Sequence, residues 1–205
     1  TFDARLMAHK LTPHFGAGTT YQSMEGRDLP FPAHVLERLG HWHEIPFLRS
    51  ARTRELLRRI RASGGDPGAI DRLQELLDGN YAFFLFEEIE RAKSELSRAD
   101  VGRIRFDMGA IHLDEAVTRA EFEAMIAPDL DRVWQVLETV LAAAGCSAAA
   151  VDAVFVTGGS AQIPAVHARL QDTFGSDRLR AQDYLTSVAV GLGVDAASVV
   201  MDAAS

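Results

Sequence analysis

Gly158, Gly159 and Ser160 follow an apolar run over Val151–Thr157 and lead through Gln162 into Ile163-Pro164 and a helical pattern. Glycines that end a strand let a ligand come close to the backbone, and the amides opening the next helix favour a negative group. The chemistry such a turn suits is the holding of a phosphate. A tight strand-to-helix turn with no ligand uses the same residues, so the pattern alone is weak. Glu90, Lys93 and Ser97 form a second set at i, i+3 and i+7, along one stripe of a helix whose adjacent stripe is Leu85, Ile89, Ala92 and Leu96. A carboxylate, an ammonium and a hydroxyl in a row can hydrogen-bond the hydroxyls of a sugar and the edge of a base. The competing reading is a solvated face with one Glu–Lys pair.

Other clusters carry less. Arg49, Arg52, Arg54, Arg58, Arg59 and Arg61 crowd one stretch and could grip phosphates. With Glu55, Leu56, Leu57 and Ile60 interleaved they read as the wet side of an amphipathic helix. His41-Trp42-His43-Glu44 has metal-ligand residue types. Residues at i and i+2 of a helix point apart, however, and no further ligand lies nearby, so a packed Trp42 between exposed imidazoles is expected. Ser160 is not a nucleophile elbow, since Gly-x-Ser-x-Gly is absent and no His and acid pair accompanies it.

These residues need elements to position them. Phe2, Leu6, Met7, Leu11 and Phe15 predict a helix from 2 to 15, closed by Gly16 and Gly18. Residues 17–46 read as a loop with one short helix around Val35, Leu36 and Leu39. Helices are predicted over 50–62, 68–77 and 81–97, separated by Gly64-Gly65-Asp66-Pro67 and by Gly79-Asn80. Alternation over Val101–Phe106 and Ala110–Leu113 predicts a hairpin turning at Asp107-Met108-Gly109. Thr118-Arg119-Ala120-Glu121 is a capping box. It opens a long helix whose apolar face is Phe122, Ile126, Leu130, Val133, Leu137, Val140, Leu141 and Ala144, ended by Gly145. A buried strand over 151–157, a helix over 163–174 and a last helix from 186 to about 201 complete the reading.

The chain has 205 residues, 47% hydrophobic and 24% charged, which suits one large or two small globular domains and excludes disorder as the main state. Lys and Arg total 21 against 29 Asp and Glu, and the net charge of -8 opposes long-range attraction to nucleic acid or anionic membrane. No apolar run approaches the roughly 20 residues that span a bilayer. Cys146 is the single cysteine, so no intrachain disulfide or Cys-x-x-Cys site is possible within these residues. A soluble chain of a reducing compartment, the cytoplasm, is the expectation. The start at Thr1, inside a helical pattern, suggests a piece of something longer.

The stretch from Thr118 to Gly175 resembles the end of the ATPase domain of DnaK-type heat-shock chaperones. Three pieces carry the resemblance in order: Thr-Arg-Ala-Glu-Phe-Glu at 118–123, the long helix with Gln135-Val136-Leu137 and Leu141, and Val154-Phe155-Val156-Thr157-Gly158-Gly159-Ser160-Ala161-Gln162-Ile163-Pro164. Glu90-Arg91-Ala92-Lys93, then Leu96-Ser97 and a two-strand segment, is similar to the adenosine-contacting helix of that family. Thr1-Phe2-Asp3 resembles the residues after the glycine pair of the second lobe's phosphate loop, and Ser187-Val188-Ala189-Val190-Gly191 the final helix. Identity is low between about 17 and 80, where Leu29-Pro30-Phe31-Pro32 and the Arg-rich helix look closer to the short YegD-like branch, which lacks a peptide-binding domain.

The resemblance implies an α/β fold, a ribonuclease-H-like half-lobe of the actin-like ATPase kind. Residues 1–16 and 117–205 would form the nucleotide-binding lobe, with 17–116 a helical and hairpin subdomain. It implies ATP or ADP with magnesium as cofactor, clamped between this lobe and a first lobe that holds the metal ligands. Since positioning and charge neutralisation supply nearly all catalysis of phosphoryl transfer, this chain alone is not expected to hydrolyse ATP. By resemblance Glu90 and Lys93 meet the ribose, Ser97 the adenine, and Gly158 and Gly159 the nucleotide beside its phosphates, with Ser160 and Gln162 in the same turn. Ser94 and Gln162 stand where family members commonly stack the adenine between two arginines. Two lost cation–π contacts, each about 1 kcal/mol, would weaken base binding about tenfold or more. The partners implied are an adenine nucleotide and a client or co-chaperone protein, with no nucleic acid and no membrane. Two alternatives stand: a degenerate chaperone-like interaction module that no longer uses nucleotide, and a small-molecule kinase of the same superfamily whose pocket would come from the missing lobe.

Overall fold

Apolar residues at helical spacing wind the N-terminal segment into a continuous helical stretch in the computed structural model, which describes residues 2–181. It begins as helix α1 (Phe2–Leu6), widens to a π-helical turn over Met7–Leu11 and tightens to a 3-10 turn over Thr12–Phe15. The change comes as the chain reaches Pro13, which has no N–H to continue an α-helical ladder. The Thr12 hydroxyl donates to the Ala8 carbonyl at 2.6 Å. Gly16, at φ 104, ends the segment in a left-handed conformation that glycine adopts without steric cost. Leu6, Met7, Leu11 and Phe15 are fully buried, as their spacing predicts.

The next stretch holds more structure than a loop. Strands β1 (Thr20–Gln22) and β2 (Asp28–Pro30) pair antiparallel, then come α2 (Ala33–Leu39) and a 3-10 turn over Ile45–Arg49. Each strand is three residues long and largely exposed, too short and too polar for alternation to reveal. Trp42 is 56% exposed rather than packed, which corrects that expectation. Helices α3 (Ala51–Ala62), α4 (Pro67–Asp78) and α5 (Ala82–Leu96) match the sequence reading closely, α3 and α4 because side chains cap their starts and α5 because the Gly79-Asn80 turn precedes it. The Ser50 hydroxyl accepts from the Thr53 amide at 3.1 Å, and Asp66 accepts from the amides of Gly68 and Ala69.

Helix α5 lies on a hairpin of β3 (Val101–Met108) and β4 (Ile111–Thr118), in register from Val101 opposite Thr118 to Met108 opposite Ile111. The hairpin is longer than predicted and turns at Gly109-Ala110, where Gly109 takes φ 59. Ile104, Phe106, Ile111, Leu113 and Val117 are its buried residues. Gly102 lets the helix come close: a Cβ there would sit 2.6 Å from the Ala92 carbonyl oxygen.

Thr118 caps helix α6 (Arg119–Ala143) as a capping box should. Its amide donates to Glu121 at 2.8 Å and its hydroxyl accepts from the Glu121 amide at 3.2 Å. Hydrogen bonds from the Lys10 ammonium and then from Thr118 hold the Glu121 carboxyl down at about 2. Residues through Ile126 form one compact unit and those from Ala127 a second. The first is closed on itself by contacts distant in sequence: Lys10 to Glu121 at 2.8 Å, His14 to Glu115 at 2.8 Å, and the Phe2 ring edge-on to Phe122 with centroids 6.4 Å apart.

In the second unit, Leu130 and Trp134 are the buried residues of α6, while Val133, Val136 and Val140 are 54%, 64% and 58% exposed. The apolar face expected through Val133, Val140 and Ala144 therefore holds only in the first half of the helix. Trp134 donates to the Thr173 hydroxyl at 3.1 Å, and the Arg169 guanidinium, paired with Asp131, lies 4.7 Å from its ring centroid. Both contacts anchor α7 (Pro164–Phe174) on α6. The strand expected over 151–157 is confined to β5 (Val154–Val156), in parallel register with β6 (Leu179–Ala181), and Phe155 is 63% exposed. The predicted last helix lies outside the described residues. No helix among the described residues is long and apolar enough to cross a membrane.

Candidate functional site

The two sets of residues singled out by chemistry fall one in each unit. In the first, Leu85, Ile89, Ala92 and Leu96 fasten α5 into the core. That leaves Glu90 on the surface and carries Lys93 with them, to 7% exposure. An ammonium at that depth needs partners. Lys93 donates to the Asp3 carboxylate at 2.8 Å and, more closely still, to Glu90. Burial works against its charge, but the hydrogen bonds to Asp3 and Glu90 more than offset it, and its pKa lies above the ordinary 10.5. The structure thus joins Glu90 and Lys93 and adds Asp3, a residue the reading of α5 did not connect to them. Spacing along one helix cannot reveal a partner 90 residues away.

Ser97 caps the C-terminus of α5, half-exposed, its hydroxyl 3.5 Å from the Lys93 carbonyl oxygen to which it donates. Glu90 thus presents a carboxylate at the buried ammonium, and Ser97 a hydroxyl further along the same stripe. Ser94 is exposed and, with Arg91, Glu95, Arg98, Ala99 and Val101, lines a shallow cleft of about 350 Å³. Arg91 is held there by Glu88 and Glu95.

In the second unit β5 delivers the chain to Gly158, at φ 84 and ψ 157, and then to a 3-10 turn over Gly159–Gln162 that runs into α7. The Ala161 amide donates to the Gly158 carbonyl at 3.1 Å and the Ile163 amide to Ser160 at 3.3 Å. Ala161 and Ile163 are buried and pin the turn. Gly159 and Ser160 are exposed and Gln162 half-exposed, so the polar residues stay on the outside. A Cβ at Gly158 would meet nothing within 4 Å, so backbone shape and open space, not crowding, define this turn. An anion can therefore approach its main chain. Among the described residues no three His, Cys, Asp or Glu side chains converge on a point that could hold a metal.

The family model described as Hsp70 protein matches residues 78–203, from the end of α4 through Glu90, Lys93 and Ser97 and the turn at Gly158. The chain belongs to the Hsp70 family. It is 36% identical over 128 residues to the chaperone protein DnaK of Deinococcus deserti, covering 58% of this chain and 20% of that one. The DnaK of Thermus thermophilus is 32% identical over 120 residues, covering 55% and 20%, and that of Halobacterium salinarum 32% over 116 residues, covering 54% and 18%. The chain spans about a fifth of the length of these relatives. Its mixed helices and small sheets agree with that family. The Arg-rich helix α3 lies before the matched stretch.

Proposed function

We propose that the chain is the second, adenine-nucleotide-facing lobe of a DnaK-like chaperone ATPase, a ribonuclease-H-like half-lobe closest to the short YegD-like branch. Residues 1–16 and 117–205 form its nucleotide-binding core and 17–116 its subdomain. In this reading Glu90 and Lys93 address ribose hydroxyls and Ser97 the base. Gly158, Gly159, Ser160 and Gln162 address the phosphate side, and ATP or ADP with magnesium is the cofactor. The observation that carries the proposal is Lys93: a buried ammonium held by Asp3 and by the surface carboxylate of Glu90, with the half-exposed Ser97 hydroxyl on the same helix stripe. The residues present fit a nucleotide in kind, since hydroxyl and carboxylate suit a sugar edge and the open turn at Gly158 suits an anion. When bound, the nucleotide would supply the energy of lobe closure. What this chain supplies is binding and orientation: Lys93 fixes the Glu90 carboxylate in place, and the Gly158 turn keeps its backbone accessible. The protein works in the cytoplasm, with a client or co-chaperone as its other partner.

Calorimetric titration of magnesium-ADP and magnesium-ATP into the full-length protein, beside a Gly159→Asp variant, tests this. The added carboxylate repels phosphate, so binding should fall at least tenfold in the variant. Absence of binding by the unmodified protein would instead favour the second reading, an interaction module that no longer uses nucleotide. Ser94 and Gln162, standing where stacking arginines are expected, are the observation in its favour.

A further inference from the structure

The arginines that crowd residues 49–61 are not equivalent. Arg49 donates to Asn80 at 2.5 Å, Arg54 lies 3.5 Å from Asp78, Arg58 3.0 Å from Glu55, and Arg61 holds Asp71 through contacts of 2.6 and 3.0 Å. Arg52 and Arg59 have no such partner among the described residues. Both line one cleft of about 350 Å³, with His34 of α2 and with Thr53, Glu55 and Leu56 of α3. They stand seven residues apart on α3, two helical turns, which puts their backbones roughly 10 Å apart along the axis. Leu56 lies between them on the same face, half-buried. Thr53 is turned inward, its hydroxyl 2.9 Å from that of Ser50, and Glu55 is occupied by Arg58. The cleft thus has an apolar centre between two cations that no group among the described residues neutralises, in a chain of net charge -8.

We propose that this cleft docks an extended acidic peptide segment of a partner protein. Two carboxylates engage Arg52 and Arg59, and an apolar side chain between them lies on Leu56. Side chains at i, i+2 and i+4 of an extended segment share one side and span roughly 13 Å, which two long arginine side chains can bracket. Guanidinium forks match carboxylates geometrically. Nucleic acid is the poorer fit, because it needs a continuous basic field, whereas Arg54, Arg58 and Arg61 beside the cleft are already neutralised by carboxylates.

The experiment is fluorescence anisotropy of a labelled Asp-Ala-Leu-Ala-Asp peptide with the full-length protein at low salt. Arg52→Ala and Arg59→Ala should each weaken binding about three- to fivefold and the double variant about tenfold or more. Arg61→Ala, whose partner is Asp71, should change nothing, and Glu55→Gln, which removes a carboxylate from the lining, should tighten binding about twofold. Circular dichroism identical to the unmodified protein shows that these exposed positions leave the helix intact. No binding by the unmodified protein, equal binding of the Asn-Ala-Leu-Ala-Asn peptide, or undiminished binding by the double variant would each overturn the proposal. So would preferential displacement by inorganic phosphate or by a short oligothymidylate, which would make the cleft a general anion site or a nucleic-acid site.

Discussion

Lys93 is where residue-level chemistry is most exposed to test. Its ammonium is buried between Asp3 and Glu90, so Lys93→Met, which keeps the aliphatic stem, leaves two carboxylates facing each other without a cation. Because both carboxylates retain some access to water, the loss should be about 1–2 kcal/mol rather than the 3–5 typical of a fully buried pair. The sign with pH follows from the raised pKa. The folded state binds the Lys93 proton more tightly than the unfolded chain, so the stabilisation is complete below the ordinary value of 10.5 and fades as pH rises through the higher folded value. Urea midpoints measured from pH 8 to 12 should therefore converge for the two proteins at the alkaline end. Parallel curves would show that the ion pair contributes nothing. That Glu90, Lys93 and Ser97 lie on one stripe of α5 was legible from spacing, because i, i+3 and i+7 must share a helix face. Asp3 as the partner of Lys93 was not, since only the tertiary fold brings α1 to α5.

At the scale of elements, the close approach of α5 to β3 is the most sensitive contact. Gly102 sits where a Cβ would lie 2.6 Å from the Ala92 carbonyl oxygen, a backbone atom on a buried helix that cannot swing away. Gly102→Ala should cost about 1–3 kcal/mol by chemical denaturation, and Gly102→Val more, despite the higher strand propensity of both residues. An unchanged midpoint would mean that helix and hairpin slide apart at little cost. The elements that the sequence betrayed were those with marked ends: Ser50 before α3, Asp66 before α4, the Gly79-Asn80 turn before α5, Thr118 before α6. Those it concealed lack such marks. Strands β1 and β2 are three residues each and exposed, and β5 is half as long as its apolar run suggests because only Val156 of the three is buried. The helix pattern of α6 was read correctly, yet its apolar face was carried too far, since periodicity marks a stripe without saying where its neighbour stops.

For the molecule as a whole, membership of the Hsp70 family rests on residues 78–203, and every candidate site residue except Asp3 lies inside that stretch. A ligand that binds only the folded state must raise its stability by mass action. Magnesium-ADP at about 100 times its dissociation constant should add about 2.7 kcal/mol to unfolding of the full-length protein, read as a rise in thermal midpoint. A midpoint that stays fixed at millimolar nucleotide would count against the nucleotide-facing lobe. The first unit also carries a consequence for synthesis. Its opening helix is fastened to residues near position 120, through Lys10 with Glu121, His14 with Glu115 and Phe2 with Phe122. A ribosome adding about 5–20 residues per second needs roughly 5–25 seconds to cover that interval. Throughout it these closing contacts are missing, although α2, α4 and α5, which also pack against the opening segment, are made before it ends. The unit is therefore sealed late, when its last-made strand and helix reach back to a segment made more than a hundred residues earlier.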